Sequence, residues 1–209
     1  MTLALTSVAA TFAQLWKVAQ TEASRQNTTP SAVFQSVGLR LEVPEKPWQY
    51  YCTPKNTRTF ASTGRDGVHY SFLEVRSLHY SPIVMTVPMS FDNPNIVVAE
   101  TLHEFLCLGC RASYLSLEML SVCGGDFSSL KSKSYAAGLS QAQQHSLQVL
   151  SDSFSLFPYV ALEWRMAQLQ AKYLDFLQMG EVVQIHRRAD SKVMNKAKTP
   201  AAFAFGQFT

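Results

Sequence analysis

The sequence predicts an α+β fold, a small, mostly antiparallel sheet of three to five strands packed by N-terminal and C-terminal helices. Three observations predict it. Apolar residues recur at helical spacing along both flanks of the chain. Short runs rich in β-branched and aromatic residues fill its middle, and Gly-, Asp- and Pro-bearing turns separate those runs. A chain of 209 residues, 47% of them hydrophobic, suits one domain with a sizeable core. Its 13 Phe, 8 Tyr and 3 Trp supply large anchors, so neither a disulfide framework nor a metal staple is needed to fold.

Taken in order, residues 3–25 read as a helix with Leu5, Val8, Phe12, Leu15, Trp16 and Ala19 on one stripe. Asn27-Thr28-Thr29-Pro30 ends it, because proline lacks an amide proton and biases its predecessor away from helix. A short helix is expected from Pro30 to Val37, with Thr29 as cap and Gly38 closing it. Residues 39–57, punctuated by Pro44, Pro47 and Pro54, read as an extended approach segment with one edge strand. Arg58–Ser62, Val68–Val75, Ile83–Val87 and Ile96–Ala99 read as strands. In the second of these, Val68, Tyr70 and Phe72 point to one face, and His69, Ser71 and Leu73 to the other. From Thr101, a predicted cap, the period is helical again, and one face runs from Leu102 through Phe105 and Leu106 to Tyr114, Leu117 and Leu120. Residues 126–139 read as loop. Gln141–Phe154 and Tyr159–Gln178 read as helices, the latter terminated by Gly180. Residues 1–186 therefore form the predicted domain, and 187–209 a mobile basic tail with Phe203, Phe205 and Phe208 as docking points.

The charge is unevenly placed. From Glu181 onward Arg187, Arg188, Lys192, Lys196 and Lys198 face only Glu181 and Asp190, a net +3 that accounts for the whole chain's +3. The body sums to zero, which argues against nucleic-acid binding by the fold, since such binders spread a basic stripe over it. No Lys or Arg precedes Lys17, and Thr6, Ser7, Thr11 and Gln14 interrupt the apolar N-terminus, unlike a secretory signal. No run approaches the roughly 20 apolar residues of a membrane span. Cys52, Cys107, Cys110 and Cys123 fit free thiols in a reducing compartment, so the expected address is the cytoplasm.

Cys107-x-x-Cys110, with Cys52 and Cys123, gives the four thiols of a structural zinc site. The pair nevertheless lies inside an apolar helix rather than in a knuckle turn or at a helix N-terminus, and reads as buried small apolar residues. No metal and no cofactor is expected. Thr63-Gly64-Arg65-Asp66-Gly67-Val68-His69 is the densest polar cluster. Asp-Gly favours a type I′ hairpin turn, and Arg65, Asp66 and His69 would share one end of the sheet. That corner reads as a turn, then as a binding surface with Trp48, Tyr50 and Tyr51 nearby. The alternative is the acid/base pair of a small hydrolase or transferase. His103, spaced from Glu100 and Cys107 for metal ligation, reads as an exposed polar residue. No Walker loop, Rossmann fingerprint or zincin motif is present.

The stretch Thr59 to Leu73, two strands around a Gly/Asp turn, resembles the central hairpin of SMI1/KNR4-like (SUKH) proteins. Ile96 to Leu106 resembles the strand and s-x-x-e-F-L helix that end many of them. The resemblance covers about residues 56–110. The chain departs from the family in lacking an L-P-x-x-Y-x-x-F-L…N-G-G element before the hairpin and in adding helices over 125–180. The resemblance implies an α+β domain that acts by binding another protein, a toxin for typical bacterial members and a regulatory scaffold for fungal ones. The family's interaction surface varies, so it assigns no individual residue. The expected function is a non-enzymatic protein-binding module, with Arg65, Asp66, His69, Trp48 and Tyr50 as its first binding residues. The sequence leaves its oligomeric state open.

Overall fold

The computed structural model describes residues 8–46, 50–76, 78–111, 113–121, 138–158 and 162–180. Trp48, Cys123, most of the 126–139 loop and the basic stretch 187–209 lie outside them. Five strands pair antiparallel in chain order: β1 (Arg40–Lys46), β2 (Thr57–Ser62), β3 (His69–Leu73), β4 (Ile83–Thr86) and β5 (Asn95–Ala99). The helices are α1 (Val8–Gln26), α2 (Leu102–Gly109), α3 (Gln141–Phe154) and α4 (Leu162–Tyr173). The architecture is α+β, and no described helix is long and apolar enough to cross a membrane.

The predicted strands are present to within two residues, and β1 is the expected edge strand. Its register with β2 shifts between Leu41 and Lys46, a span containing Pro44, which has no N–H for the ladder. One face of the sheet is aromatic. Phe60 and Phe72 stack with ring centroids 4.3 Å apart, Phe12 of α1 meets both edge-on, and Phe105 of α2 packs on Phe60 and Tyr70. Such pairs add about 1 kcal/mol each beyond their buried area.

The other face is polar yet also buried. Its cross-strand rows are Ser62–His69–Thr86–Asn95 and Thr59–Ser71, followed by Val84 and Val97. A strap of residues 50–56 covers it, held by Thr57 Oγ1 donating to the Pro54 carbonyl at 2.7 Å. The strap is tied to the end of the C-terminal helix. Asn56 Nδ2 donates to Phe176 O at 2.9 Å, its Oδ1 accepts from Gln178 N at 2.9 Å, and Lys55 N donates to Gln178 O at 2.7 Å.

These ties correct one helix end. The helix predicted to run to Gln178 stops at Tyr173, with a single 3₁₀ turn to Phe176, because Asn56 and Lys55 engage the groups that would have continued it. The predicted helix at 30–37 is instead a series of turns ending in a 3₁₀ turn, Gln35–Val37. The continuous face expected after Thr101 is also broken. Thr101 caps α2 through Glu104 N as predicted, but α2 ends at Gly109, and Ser113, at φ +76°, turns the chain into a 3₁₀ segment, Tyr114–Ser121. There the Tyr114 ring folds back onto Gly109 and its hydroxyl donates to Leu106 O at 2.9 Å. A capping box opens α3, with Ser140 and Gln143 bonding each other's backbone N–H.

β5 is the second edge of the sheet, and α4 closes it. The Gln170 side-chain amide accepts from Val97 N at 3.1 Å and donates to Val97 O at 2.7 Å. It thus occupies the two groups that another strand would use.

Candidate functional site

The β2–β3 connection is built as its sequence dictates. Asp66 and Gly67 both take positive φ, +50° and +70°, and Val68 N donates to Arg65 O at 3.1 Å. Those are the marks of a type I′ corner. Thr63 locks it from inside, its Oγ1 accepting from Arg65 N at 3.2 Å and donating to Arg65 O at 3.0 Å. Gly67 serves twice, because a Cβ there would also fall 2.7 Å from the Tyr50 hydroxyl. Arg65 and Asp66 stand exposed at the tip. Beside them lies a cleft of about 310 Å³ lined by Arg40, Glu42, Tyr50, Ser62, Arg65 and Asp66 and by the glycine backbone.

His69 is placed differently from the expectation. It sits at the same end of the sheet, but its side chain turns under the strap and has no accessible surface. Its Nδ1 lies 2.7 Å from the Gly67 carbonyl, which only accepts, so Nδ1 carries the proton; Nε2 then accepts from Thr53 Oγ1 at 3.2 Å. Tyr50 stacks on the imidazole with centroids 5.8 Å apart. Burial lowers the pKa of His69, against the opposing pull of the Gly67 carbonyl, and keeps the ring neutral. In the same row Thr86 Oγ1 donates to Asn95 Oδ1 at 2.8 Å, and Asn95 Nδ2 donates to Cys52 O at 2.8 Å. His69 therefore supports Tyr50 and the turn from below, and it offers no base to a molecule in the cleft.

The fold adds residues that the sequence reading missed. Arg40 and Glu42 of β1 line the cleft opposite the turn. Glu118 comes up on the far side of the turn, where burial raises its pKa, Asp66 raises it further and Arg65 opposes both. The β4–β5 loop ends at the same tip of the sheet and carries Met89 and Phe91, 66% and 74% exposed. Tyr51, 65% exposed, donates through its hydroxyl to Pro88 O at 2.9 Å and so joins that loop to the strap. Only Phe91 and Met89 had a local signal, being large apolar residues in a Pro-bounded loop. Of the five expected binding residues, the structure gathers Arg65, Asp66 and Tyr50 at one surface, buries His69 beneath them, and does not describe Trp48.

The other constellations resolve into packing. Burial raises the Cys107 and Cys110 thiols, Cys110 to about 11, so both stay protonated near neutrality. Cys110 Sγ donates to Cys107 O at 3.1 Å. His103 is half-buried rather than exposed, its Nε2 donating to Phe154 O at 3.1 Å. Among the described residues no three His, Cys, Asp or Glu side chains converge on a metal position. A larger cleft of about 580 Å³ lies between the end of α1 and the start of α3. At its edge the buried Glu22 accepts from His145 Nε2 at 2.8 Å and from Gln26 Nε2 at 2.9 Å. Those bonds use the carboxylate as a clasp between the two helices. No protein-family model, curated protein or solved structure matches the chain.

Proposed function

We propose that the chain is a non-enzymatic protein-binding module of the immunity or regulatory kind, SMI1/KNR4-like in its mode of action and working in the cytoplasm. Its partner is another protein, a toxin in the immunity case. One observation carries the reading. A single end of the sheet exposes Tyr50, Tyr51, Arg65, Asp66, Met89 and Phe91 on two hairpin loops pinned by the strap. Aromatic and Arg side chains on a rigid base are the composition of interface hot spots, and strands about 4.8 Å apart hold the two loops within one footprint. A body of zero net charge favours a protein over a phosphate backbone. The hydrolase or transferase alternative at Arg65–His69 loses its base to burial and keeps no observation in its favour.

Affinity capture from the native host tests this with three baits. They are the unaltered chain, the double variant Tyr51→Ala with Phe91→Ala, and Trp164→Ala. Trp164 is 65% exposed and neighbours Arg165, which binds Glu100 and Glu104 at the opposite end of β5. The expected result is a specific protein retained by the unaltered chain and by Trp164→Ala, with the double variant weakened by about 30-fold or more. Absence of any specific protein, or equal retention by the double variant, overturns the proposal.

A further inference from the structure

The cleft beside the type I′ corner holds two guanidinium groups and two carboxylates that do not neutralise one another. Arg40 enters from the start of β1 and Arg65 from the turn. Among the described residues neither guanidinium takes part in a hydrogen bond or ion pair. Glu42 accepts from Ser62 Oγ at 3.5 Å, and Asp66 lies close enough to Glu118 to raise that residue's pKa. Opposite charges confined to one concavity normally pair. Here the closed turn and the strand fix their stems apart, and Tyr50, stacked on the buried His69, forms a wall that cannot collapse between them. A planar, five-donor guanidinium is the side chain best suited to grip a carboxylate. Two of them across a small cleft define an acceptor for one, while Glu42 and Asp66 leave a place for a cation beside it and repel polyanions.

We infer that this cleft is a receptor for an acidic side chain presented next to a basic one on the surface of the protein partner. The acidic group lies between Arg40 and Arg65, and its basic neighbour faces Glu42 and Asp66. The inference rests on the protein-binding reading above and names the chemistry by which that partner is recognised.

The arginine Nε–H signals of the ¹⁵N-labelled full chain report directly on it. Three probes are titrated: the N-acetylated, C-amidated tetrapeptide Gly-Glu-Lys-Gly, its Gly-Gln-Lys-Gly counterpart, and inorganic phosphate. The expected result is a saturable shift of the Arg40 and Arg65 signals with the Glu-Lys peptide, half-complete at millimolar concentration, and none with the other two. Arg40→Gln and Arg65→Gln, both at exposed positions, keep the backbone spectrum of the native fold and lose the saturable shift. No saturable shift with the Glu-Lys peptide overturns the inference, as does an equal response to the Gln-Lys peptide or to phosphate. If the captured partner binds the arginine variants as tightly as the unaltered chain, this inference fails and the protein-binding reading stands. If capture recovers no partner while the peptide still binds, the reading fails and the cleft chemistry stands.

Discussion

At Gly109 one added methyl group would land 2.2 Å from the Tyr114 ring, closer than any packed carbon tolerates. Glycine inside a helix normally costs about 1 kcal/mol relative to alanine, so alanine should stabilise most helical glycines. Here the ring, fixed by its bond to Leu106 O and by Tyr70 Oη donating to Tyr114 O at 2.7 Å, has nowhere to go. Gly109→Ala is expected to destabilise the fold by about 2 kcal/mol, read as a lower urea midpoint. His69 makes a prediction of the opposite kind, in pH. Burial holds its folded pKa below the ordinary 6.5, so the unfolded chain takes up a proton that the folded chain resists. The neutral ring's contribution is complete above 6.5 and is lost as pH falls from there through the lowered folded value. Urea midpoints of the wild type should therefore drop between about pH 7.5 and about pH 5 by more than those of His69→Gln, which has no such proton to bind.

At the scale of elements, the junction between β5, α2 and α4 is electrostatic. Glu100 meets Lys172 at 2.7 Å and Arg165 at 2.8 Å and accepts from the Tyr173 hydroxyl, while Arg165 also grips Glu104 at 2.7 Å. Burial alone would raise the Glu100 carboxyl, but Lys172, Tyr173 and Arg165 outweigh it and hold it at about 2. The sign follows from that depression. The network's stabilisation is present above the ordinary 4.5 and disappears as pH falls toward 2. Glu100→Gln should cost about 2 kcal/mol at neutral pH and flatten the acid limb of an unfolding curve followed by tryptophan fluorescence. Gln170 makes a separate prediction. Gln170→Leu keeps α4 apolar enough to pack but frees both backbone groups of Val97, and an uncovered edge recruits other chains. Light scattering at rising concentration should show self-association in this variant and not in the unaltered chain.

Across the whole molecule, legibility tracked the range of the interaction. The alternation in Val68–Val75 and the Asp66-Gly67 corner are local, and both stand as predicted. The strap was not legible, because a polar strand face reads as water-facing. Nothing in residues 50–56 announces that they will cover Thr59, Ser71 and His69 and satisfy that row's hydrogen bonds. The placement of His69 failed for that reason. Arg40, Glu42 and Glu118 reach the turn through strand pairing and a chain reversal at Ser113, and neither leaves a periodic trace. The nearest-neighbour strand order carries a consequence of its own for biosynthesis. Each strand finds its mate already outside the ribosome, so the sheet can assemble hairpin by hairpin without waiting for distant sequence. Gln170, however, is translated long after Val97. Throughout that interval the nascent polypeptide carries an unsealed flank, and it is then that a chaperone would have something to hold.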